Sequence, residues 1–518
     1  MLKGFLLSFT IITFSVLFVS CSTIERPATA PSITHYQIVN VNVVDVINKV
    51  IKYNARVEVK QGRIVEVSTQ DELIVTKQQA TIKTIDGKGK YLIPGLWDNH
   101  STLLTFAPEV DFPLYIANGV TSVRSNLSCP NEDEVSIYAC MADKAKWKQA
   151  VEAETLVGPS IQGWGTFPIN GKRKQHPDLP AFHGATTVEQ TKKVVDHYAL
   201  YPESERPFFL KTYNWLPKES HSALTQYAQE KGFEISGHLP RAMTIEEAVE
   251  AGQRSIAHAR LFVYNCSYIS DELRLAKGKD SKRKLPLTEL YPLLVNNFDG
   301  QACQKKYEYM AKNDVFINPT LMTRRNDYYG VAGLFNKMQG LDYAHYIFFS
   351  EWEEDIAKHG DNLSDTDIKA FKDFYELTAK TIAQAQKAGV KILAGTDSWS
   401  EYNVPGFSLH EELQTLSDAG IDNFSVLQAA SINGAEYFNI SDQLGSINVG
   451  KQADMVLLDA NPIDDIKNAQ KIAMVFKGNQ LYDLSKINEL KSGVKGIAES
   501  HLFTGKIILQ LLQNPTGF

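Results

Sequence analysis

The sequence predicts an α/β fold, a (β/α)8 TIM barrel with a smaller β-domain beside it, and two observations support this. Short β-rich runs recur along the chain with helical stretches after most of them, which is the pattern of a parallel α/β fold. Eight such runs can be counted, and eight strands close a barrel. They are residues 92–98, 121–126, 160–164, 208–213, 233–238, 255–258, 315–320 and 391–397.

The first element of the chain resembles an export signal. A positively charged start precedes an apolar run at residues 6–19, which is too short for a comfortable membrane span. The run ends at Cys21 in a sequence similar to a bacterial lipobox. We therefore expect a signal peptide at 1–20, a lipid-anchored linker at 21–32, and a protein exported to the bacterial cell envelope and facing the periplasm. Phe18 stands where Leu is usual, so a plain signal peptide and an uncleaved anchor remain alternatives.

The smaller β-domain is predicted from alternation of apolar and polar residues. This alternation runs from about residue 33 to 90 and predicts a small antiparallel sheet; the same period returns at 444–459 and 474–479. Within the barrel region, the connections 264–314 and 321–389 are longer than a barrel needs. Because both follow late strands, we expect them to build the substrate pocket.

The cysteines indicate disulfide bonds. Cys129, Cys140, Cys266 and Cys303 remain after Cys21, an even number in a chain expected to be exported. Of the three connectivities, Cys129 with Cys140 and Cys266 with Cys303 is favoured, since each pair brackets a loop-like or inserted segment. Free buried thiols are the alternative.

The charge distribution argues against a nucleic-acid partner. The formal net charge of -7 is spread along the chain, and no basic run alternates with aromatic residues. We expect a small-molecule substrate and, through the lipid anchor, a membrane as partners; the oligomeric state is open.

Histidine, lysine and aspartate side chains lie at or just past the ends of five predicted strands. They are His100, Lys211, His238, His258 and Asp397. Barrel enzymes carry their catalytic groups at these carboxyl ends. Imidazole nitrogen and carboxylate oxygen are suitable ligands for zinc and related divalent ions, so the pattern predicts a metal site.

These positions resemble the metal ligands of the amidohydrolase superfamily, in its imidazolonepropionase-like and prolidase-like branch, over roughly residues 33–480. In that family the first strand ends Asp-x-His-x-His, whereas this chain keeps His100 and has Thr102 in place of the second histidine. Val123-Arg124-Ser125-Asn126 also departs from the family's common Val-Arg-Asp.

The resemblance also implies how the chain divides into domains. It implies a composite β-sandwich formed by 33–90 and 441–482, which flanks a barrel domain at 91–440. We expect residues 483–518 to form a C-terminal helical tail.

The resemblance further implies roles for the site residues. Lys211 would react with carbon dioxide and, as a carbamate, would hold one tight ion, zinc in our reading, together with His238 and His258. A second, weaker ion would lie at His100, Asp397 and the Thr102 hydroxyl. Asp397 would carry the proton in catalysis. Two further expectations come from the residues: Tyr213 hydrogen-bonds substrate, and His410-Glu411-Glu412 begins a solvated helix face.

The predicted function is a metal-dependent hydrolase that uses metal-activated water to cleave C–N bonds in amides, cyclic amides or dipeptides. The alternative is a catalytically impaired lipoprotein that keeps the pocket and binds a small molecule.

Overall fold

The computed structural model describes residues 28–69, 82–133, 135–171, 184–275, 282–360 and 362–513. The expected signal peptide, the lipidation site Cys21 and the first part of the linker lie outside these residues. No helix within the described ranges combines the length and the apolar character that a membrane crossing requires.

The strands follow one another in two groups, at the ends and in the middle of the chain. They are β1 His35–Asp45, β2 Val50–Lys60, β3 Arg63–Ser68, β4 Lys83–Asp86, β5 Tyr91–Pro94, β6 Leu96–Ser101, β7 Val120–Ser125, β8 Ser160–Trp164, β9 Phe209–Thr212, β10 Glu234–Gly237, β11 Ser255–Ala257, β12 Phe316–Asn318, β13 Met455–Leu458, β14 Ile472–Lys477 and β15 Gln480–Asp483.

The α-helices cluster between and after the middle strands. They are α1 Asp111–Ala117, α2 Met141–Glu152, α3 Val188–Ala199, α4 Lys218–Glu230, α5 Ile245–Glu250, α6 Arg260–Asn265, α7 Ser270–Leu275, α8 Leu287–Asn296, α9 Gly300–Lys312, α10 Leu321–Val331, α11 Tyr346–Ala357, α12 Asp365–Lys387, α13 Phe407–Asp418, α14 Asn423–Ala429, α15 Ile432–Tyr437, α16 Leu484–Ala498 and α17 His501–Gln513.

The amino- and carboxy-terminal strands form one continuous sheet instead of the two facing sheets of a sandwich. The strand order is β15-β14-β13-β5-β1-β2-β3, and β4 also pairs with β1. The sheet curls over a core of its own, because the ring of Tyr36 in β1 stacks on Phe476 in β14 with centroids 5.5 Å apart. A bridge between Ser32 and Gln480 connects the start of the described chain to the β15 edge.

The predicted first barrel strand at 92–98 is divided into two in the structure. Its first half is β5, which pairs with β13 of the curled sheet, and its second half is β6, which pairs in parallel with β7. The division falls at Gly95, where an added Cβ would lie 2.1 Å from the Thr121 hydroxyl oxygen. The chain therefore passes from the curled sheet to the first parallel sheet at Gly95, where only glycine permits this close approach.

The middle strands form two parallel sheets that are joined at both edges. The sheets have the orders β6-β7-β8 and β12-β11-β10-β9. A bridge from Gly165 to Phe209 connects the first sheet to the second. At the other edges, the segment 391–397 is not a regular strand, but Ile392 bridges to Ile317 and Ala394 accepts a hydrogen bond of 2.9 Å from the Asn99 amide.

The two long connections consist mainly of helices, and disulfide bonds hold two of the segments that follow strands. Residues 264–314 contain α7, α8 and α9, and residues 321–389 contain α10, α11 and α12. Cys266 is bonded to Cys303, and Cys129 to Cys140, so the favoured pairing is confirmed.

Candidate metal centre

The five predicted ligand positions lie at the carboxyl ends of neighbouring parallel segments. His100 is in β6, Lys211 is in β9, His238 and His258 directly follow β10 and β11, and Asp397 ends the segment 391–397. The lysine and the histidines are at most 4% exposed, whereas 26% of the Asp397 side chain is exposed. The fold therefore collects these residues at one buried edge, with Asp397 facing outward.

His100, His258 and Asp397 form a group whose possible ligand atoms all lie within 4.8 Å of one another. His100 Nε2 is 3.4 Å from Asp397 Oδ1, and His258 Nδ1 is 3.9 Å from Asp397 Oδ2. The His238 ring packs edge-on against that of His258, with centroids 4.4 Å apart. This group combines one residue of the predicted tight site with two of the predicted weak site.

Two asparagines orient the histidines. The Asn318 side-chain oxygen accepts a hydrogen bond of 2.8 Å from His100 Nδ1, while the Asn318 nitrogen donates to the Asn99 carbonyl. The Asn214 oxygen similarly accepts from His238 Nδ1 at 2.9 Å. His100 Nε2 must then carry a lone pair, and it faces a carboxylate oxygen. Two acceptors that face each other in a buried site suit a cation between them, so the residues fit a divalent metal.

The electrostatics of the group favour metal-binding forms of the ligands. Burial lowers the pKa of His100, His238 and His258, so the imidazoles are neutral, as metal ligation requires. Burial by itself raises the pKa of Asp397, but His100, Lys211 and His238 together hold it below the usual value. The carboxylate is therefore ionised.

Lys211 is buried without an ion-pair partner among the described residues. Burial lowers the pKa of its amine to about 8, against the opposing effect of Asp397. A larger fraction of this amine is thus uncharged near neutral pH than for an exposed lysine, and the uncharged amine is the form that reacts with carbon dioxide.

Thr102 and Asn126 make the contacts near His100 where the family has its second histidine. The Thr102 amide donates to the Ser398 hydroxyl at 3.3 Å, so Thr102 lies in the turn beside Asp397. The amide nitrogen of Asn126 contacts His100 Nε2, and the amide oxygen is buried with no hydrogen-bond partner in the part of the chain that the structure describes. The departure of residues 123–126 from the family's Val-Arg-Asp could have pointed to Asn126 in the sequence. No sequence pattern pointed to Asn318.

Tyr213 lies beside the group. It follows β9 directly, is half-buried, and its ring centroid is 4.2 Å from that of His238. A half-buried phenol next to the histidines can reach a bound small molecule.

The expectation that His410, Glu411 and Glu412 are solvated is wrong, because all three are at most 3% exposed. Glu412 accepts hydrogen bonds from the first two amides of α10, at 3.0 and 2.8 Å, and α10 begins directly after Thr320. Thr320 in turn lies 2.9 Å from His258 Nδ1. These acidic residues face inward because their partners come from distant parts of the chain.

Three comparisons place the chain among known proteins. The model of the amidohydrolase family matches residues 138–495. The chain is 35% identical over 91 residues to a 5-methylthioadenosine/S-adenosylhomocysteine deaminase of Teredinibacter turnerae, a match covering 16% of this chain and 20% of the relative. It is 37% identical over 98 residues to an imidazolonepropionase of Streptococcus gordonii, covering 17% and 30%. The matches thus span 20% to 30% of the length of these curated relatives.

Solved structures share the fold over most of the chain. A bottromycin amidohydrolase superposes with a TM-score of 0.67 at 18% identity and covers 92% of each chain. A Xaa-Pro dipeptidase with bound methionine superposes with a TM-score of 0.58 at 17% identity, covering 87% of this chain and 100% of the other. These neighbours imply an α/β fold of the TIM-barrel type with an added sheet domain. Because the family model also matches more than half of the sequence, the chain belongs to the amidohydrolase family.

Proposed function

We propose that the protein is a metal-dependent hydrolase that cleaves C–N bonds in a small amide, cyclic amide or dipeptide with water activated at the metal. The observation that carries this proposal is the group of His100, His258 and Asp397, whose possible ligand atoms all lie within 4.8 Å of one another. Family membership, with deaminase, imidazolonepropionase and dipeptidase relatives, supports the reaction class.

We also infer that the two parallel sheets and the segment 391–397 together make the closed eight-stranded barrel of the proposed domain at 91–440. The bridges at both sheet edges support this closure. The curled sheet would be the composite domain of 33–90 and 441–482, and α16 and α17 belong to the proposed tail at 483–518.

The metal, zinc in our proposal, would be held first by His100, His258 and Asp397, with His238 and a carbamate of Lys211 close by. We keep the expectation of one tightly held ion and a weaker second one. When bound, such an ion lowers the pKa of water and polarises a carbonyl.

Asparagine nitrogen and oxygen are nearly indistinguishable in shape, and a half-turn of the Asn126 amide would bring its unpaired oxygen to the His100 side. In that orientation Asn126 would supply the ligand that is missing at Thr102.

The chain's own residues would perform the proton transfer and hold the substrate. Asp397 is the exposed member of the group and carries an ionised carboxylate, so it can accept the proton of the attacking water and return it to the leaving nitrogen. Tyr213 would donate a hydrogen bond to the substrate from beside His238.

A binding protein without catalysis is the second candidate, and one observation favours it. In the structure the Asn126 nitrogen donates toward His100 Nε2 and so uses the lone pair that a metal would need. If the Asn126 amide keeps this orientation, no side chain replaces the histidine that is missing at Thr102, and one of the two metal positions lacks its ligands.

We further propose that the protein is exported and anchored to the cell envelope through a lipid on Cys21, facing the periplasm. The apolar run and lipobox-like sequence before Cys21 support this assignment.

The hydrolase proposal is tested by metal content and by Asp397→Asn. Elemental analysis should find about one tightly held divalent ion per chain, and two ions that survive dialysis against a mild chelator would contradict the one-tight-ion assignment.

Asp397→Asn keeps size but removes the base, so turnover of amides, lactams or dipeptides should fall on the order of 10²- to 10⁴-fold. Asp418→Asn, an exposed change on α13, is the matched control and should leave turnover unchanged. Ligand binding without turnover of any such substrate by the wild type would favour the binding protein.

A further inference from the structure

We propose that Arg241, Arg260 and Arg283, grouped around Tyr264, form a subsite that binds a carboxylate of the substrate. This inference rests on the proposed function, and it assigns the substrate class: an amide that also carries a free carboxylate, such as an N-acyl amino acid or a dipeptide with a free carboxy terminus.

Two of the arginines follow the histidines of the metal centre closely along the chain. Arg260 begins α6, separated from His258 only by Ala259. Arg241 lies in the turn that follows His238, and its guanidinium lies over the half-exposed Trp215 ring, 4.1 Å from the centroid. These two arginines therefore flank the two histidines that directly follow β10 and β11.

Arg283 approaches from the long connection 264–314. Its guanidinium lies over the Tyr264 ring, 5.2 Å from the centroid, and its Nε donates to the Leu273 carbonyl at 2.5 Å. Tyr264 lies four positions after Arg260, so both side chains are on the same face of α6. One aromatic ring thus connects the inserted segment to the helix that starts at the metal centre.

None of the three arginines forms an ion pair within the described part of the chain, although each is only partly exposed. Their neighbour Arg324 shows the contrast, since it pairs with Asp327 and, at 2.8 Å, with Glu401. Partly buried guanidinium groups without a counter-charge are costly, and proteins normally pair them.

Tyr264 connects the group, because Arg283 lies over its ring and Arg260 precedes it by one helical turn, and the pKa directions agree with this proximity. Burial lowers the pKa of Arg283 to about 10, and the positive charge of Arg241 lowers it further. Burial also lowers the pKa of Arg241, with Arg260 adding to the effect. Burial raises the pKa of Tyr264, and all four arginines oppose that rise. Among the described residues, Asp327 and Glu401 both pair with Arg324, and neither forms an ion pair with Arg241, Arg260 or Arg283.

A substrate carboxylate fits these three arginines in both charge and shape. The planar guanidinium donates two parallel hydrogen bonds to a carboxylate, and a charged pair is stronger than a neutral one. With its carboxylate on the arginines, a small substrate would lie across Tyr213 and His238, and its amide would reach Asp397. The subsite would therefore orient the bond to be cleaved.

The test measures binding apart from turnover, by isothermal titration of matched pairs of N-acetyl amino acids and their carboxy-terminal amides, with inorganic phosphate as a further probe. The wild type should bind at least one acid on the order of 10- to 100-fold more tightly than its amide. Arg260→Gln should abolish this preference, and Arg260→Lys should retain part of it. Arg63→Gln, an exposed change on β3, is the control and should leave it intact. Arg241→Gln, checked for native circular dichroism, repeats the test at a second position.

Each outcome decides one question. Equal binding of acid and amide, no binding of any acid, or a preference that survives both glutamine variants overturns the subsite. Tighter binding of phosphate than of every acid overturns its assignment to a carboxylate. Selective binding of an acid that is never hydrolysed supports the subsite and contradicts the proposed hydrolase. Equal hydrolysis of acids and amides contradicts the subsite and leaves the hydrolase standing.

Discussion

The Cys266–Cys303 disulfide bond should stabilise both the fold and the proposed anion subsite. It joins the end of α6, which carries Arg260 and Tyr264, to the start of α9, and it encloses the segment that contains Arg283. We expect the double variant Cys266→Ala, Cys303→Ala to lower the free energy of unfolding and to loosen the arginines relative to one another.

The magnitude follows from the length of the loop that each bond closes. In the chain-entropy description, a cross-link stabilises by restricting the unfolded chain, and the effect grows slowly with loop length. For the sequence separation of 37 residues the cost of removal is about 4 kcal/mol. For Cys129–Cys140, with a separation of 11, it is about 3 kcal/mol. The second bond is the matched control, because it lies in another loop.

Guanidinium denaturation followed by circular dichroism measures how much free energy of unfolding each double cysteine variant loses. The ratio of acid binding to amide binding measures the effect on the subsite. We expect the Cys266, Cys303 variant to lose more stability and also part of the binding preference, whereas the Cys129, Cys140 variant keeps the preference. A larger loss of stability on removing the shorter loop's bond would refute the entropy argument. An unchanged binding ratio in the Cys266, Cys303 variant would show that the bond does not position Arg283.

Three further predictions concern metal binding, export and redox state. Thr102→His adds an imidazole beside the metal centre and should raise the number of bound ions per chain, whereas Thr102→Val should not; equal metal content in both variants would argue against a weakened second position. Cys21→Ala should release the protein from the membrane fraction or leave an unprocessed precursor, as seen by fractionation and mass spectrometry, and an unchanged result would reject lipidation. Titration of denatured, unreduced protein recovered from the exported compartment should find few reactive thiols, and finding four would contradict the disulfide bonds.

Much of the fold could be predicted because its signals are local. Seven of the eight predicted barrel runs overlap parallel strands, since β-rich runs bounded by turns favour strands locally. The disulfide pairs were predictable for a similar reason, because each pair brackets one connection and its two cysteines are the nearest to each other along the chain. The eighth run, at 391–397, forms bridges but no regular strand.

The sequence by itself determined which residues meet at the carboxyl edge of the strands: motifs at strand ends identify His100, His258 and Asp397, because parallel strands deliver their ends to one place. Only the tertiary structure decided how these groups are held and charged. Asn318 orients His100 from 218 positions away, Asn126 contacts the same ring, and Glu412 caps α10 from a helix that looked solvated. Such contacts depend on packing between distant segments, and a periodic pattern reports only which face of its own element is apolar.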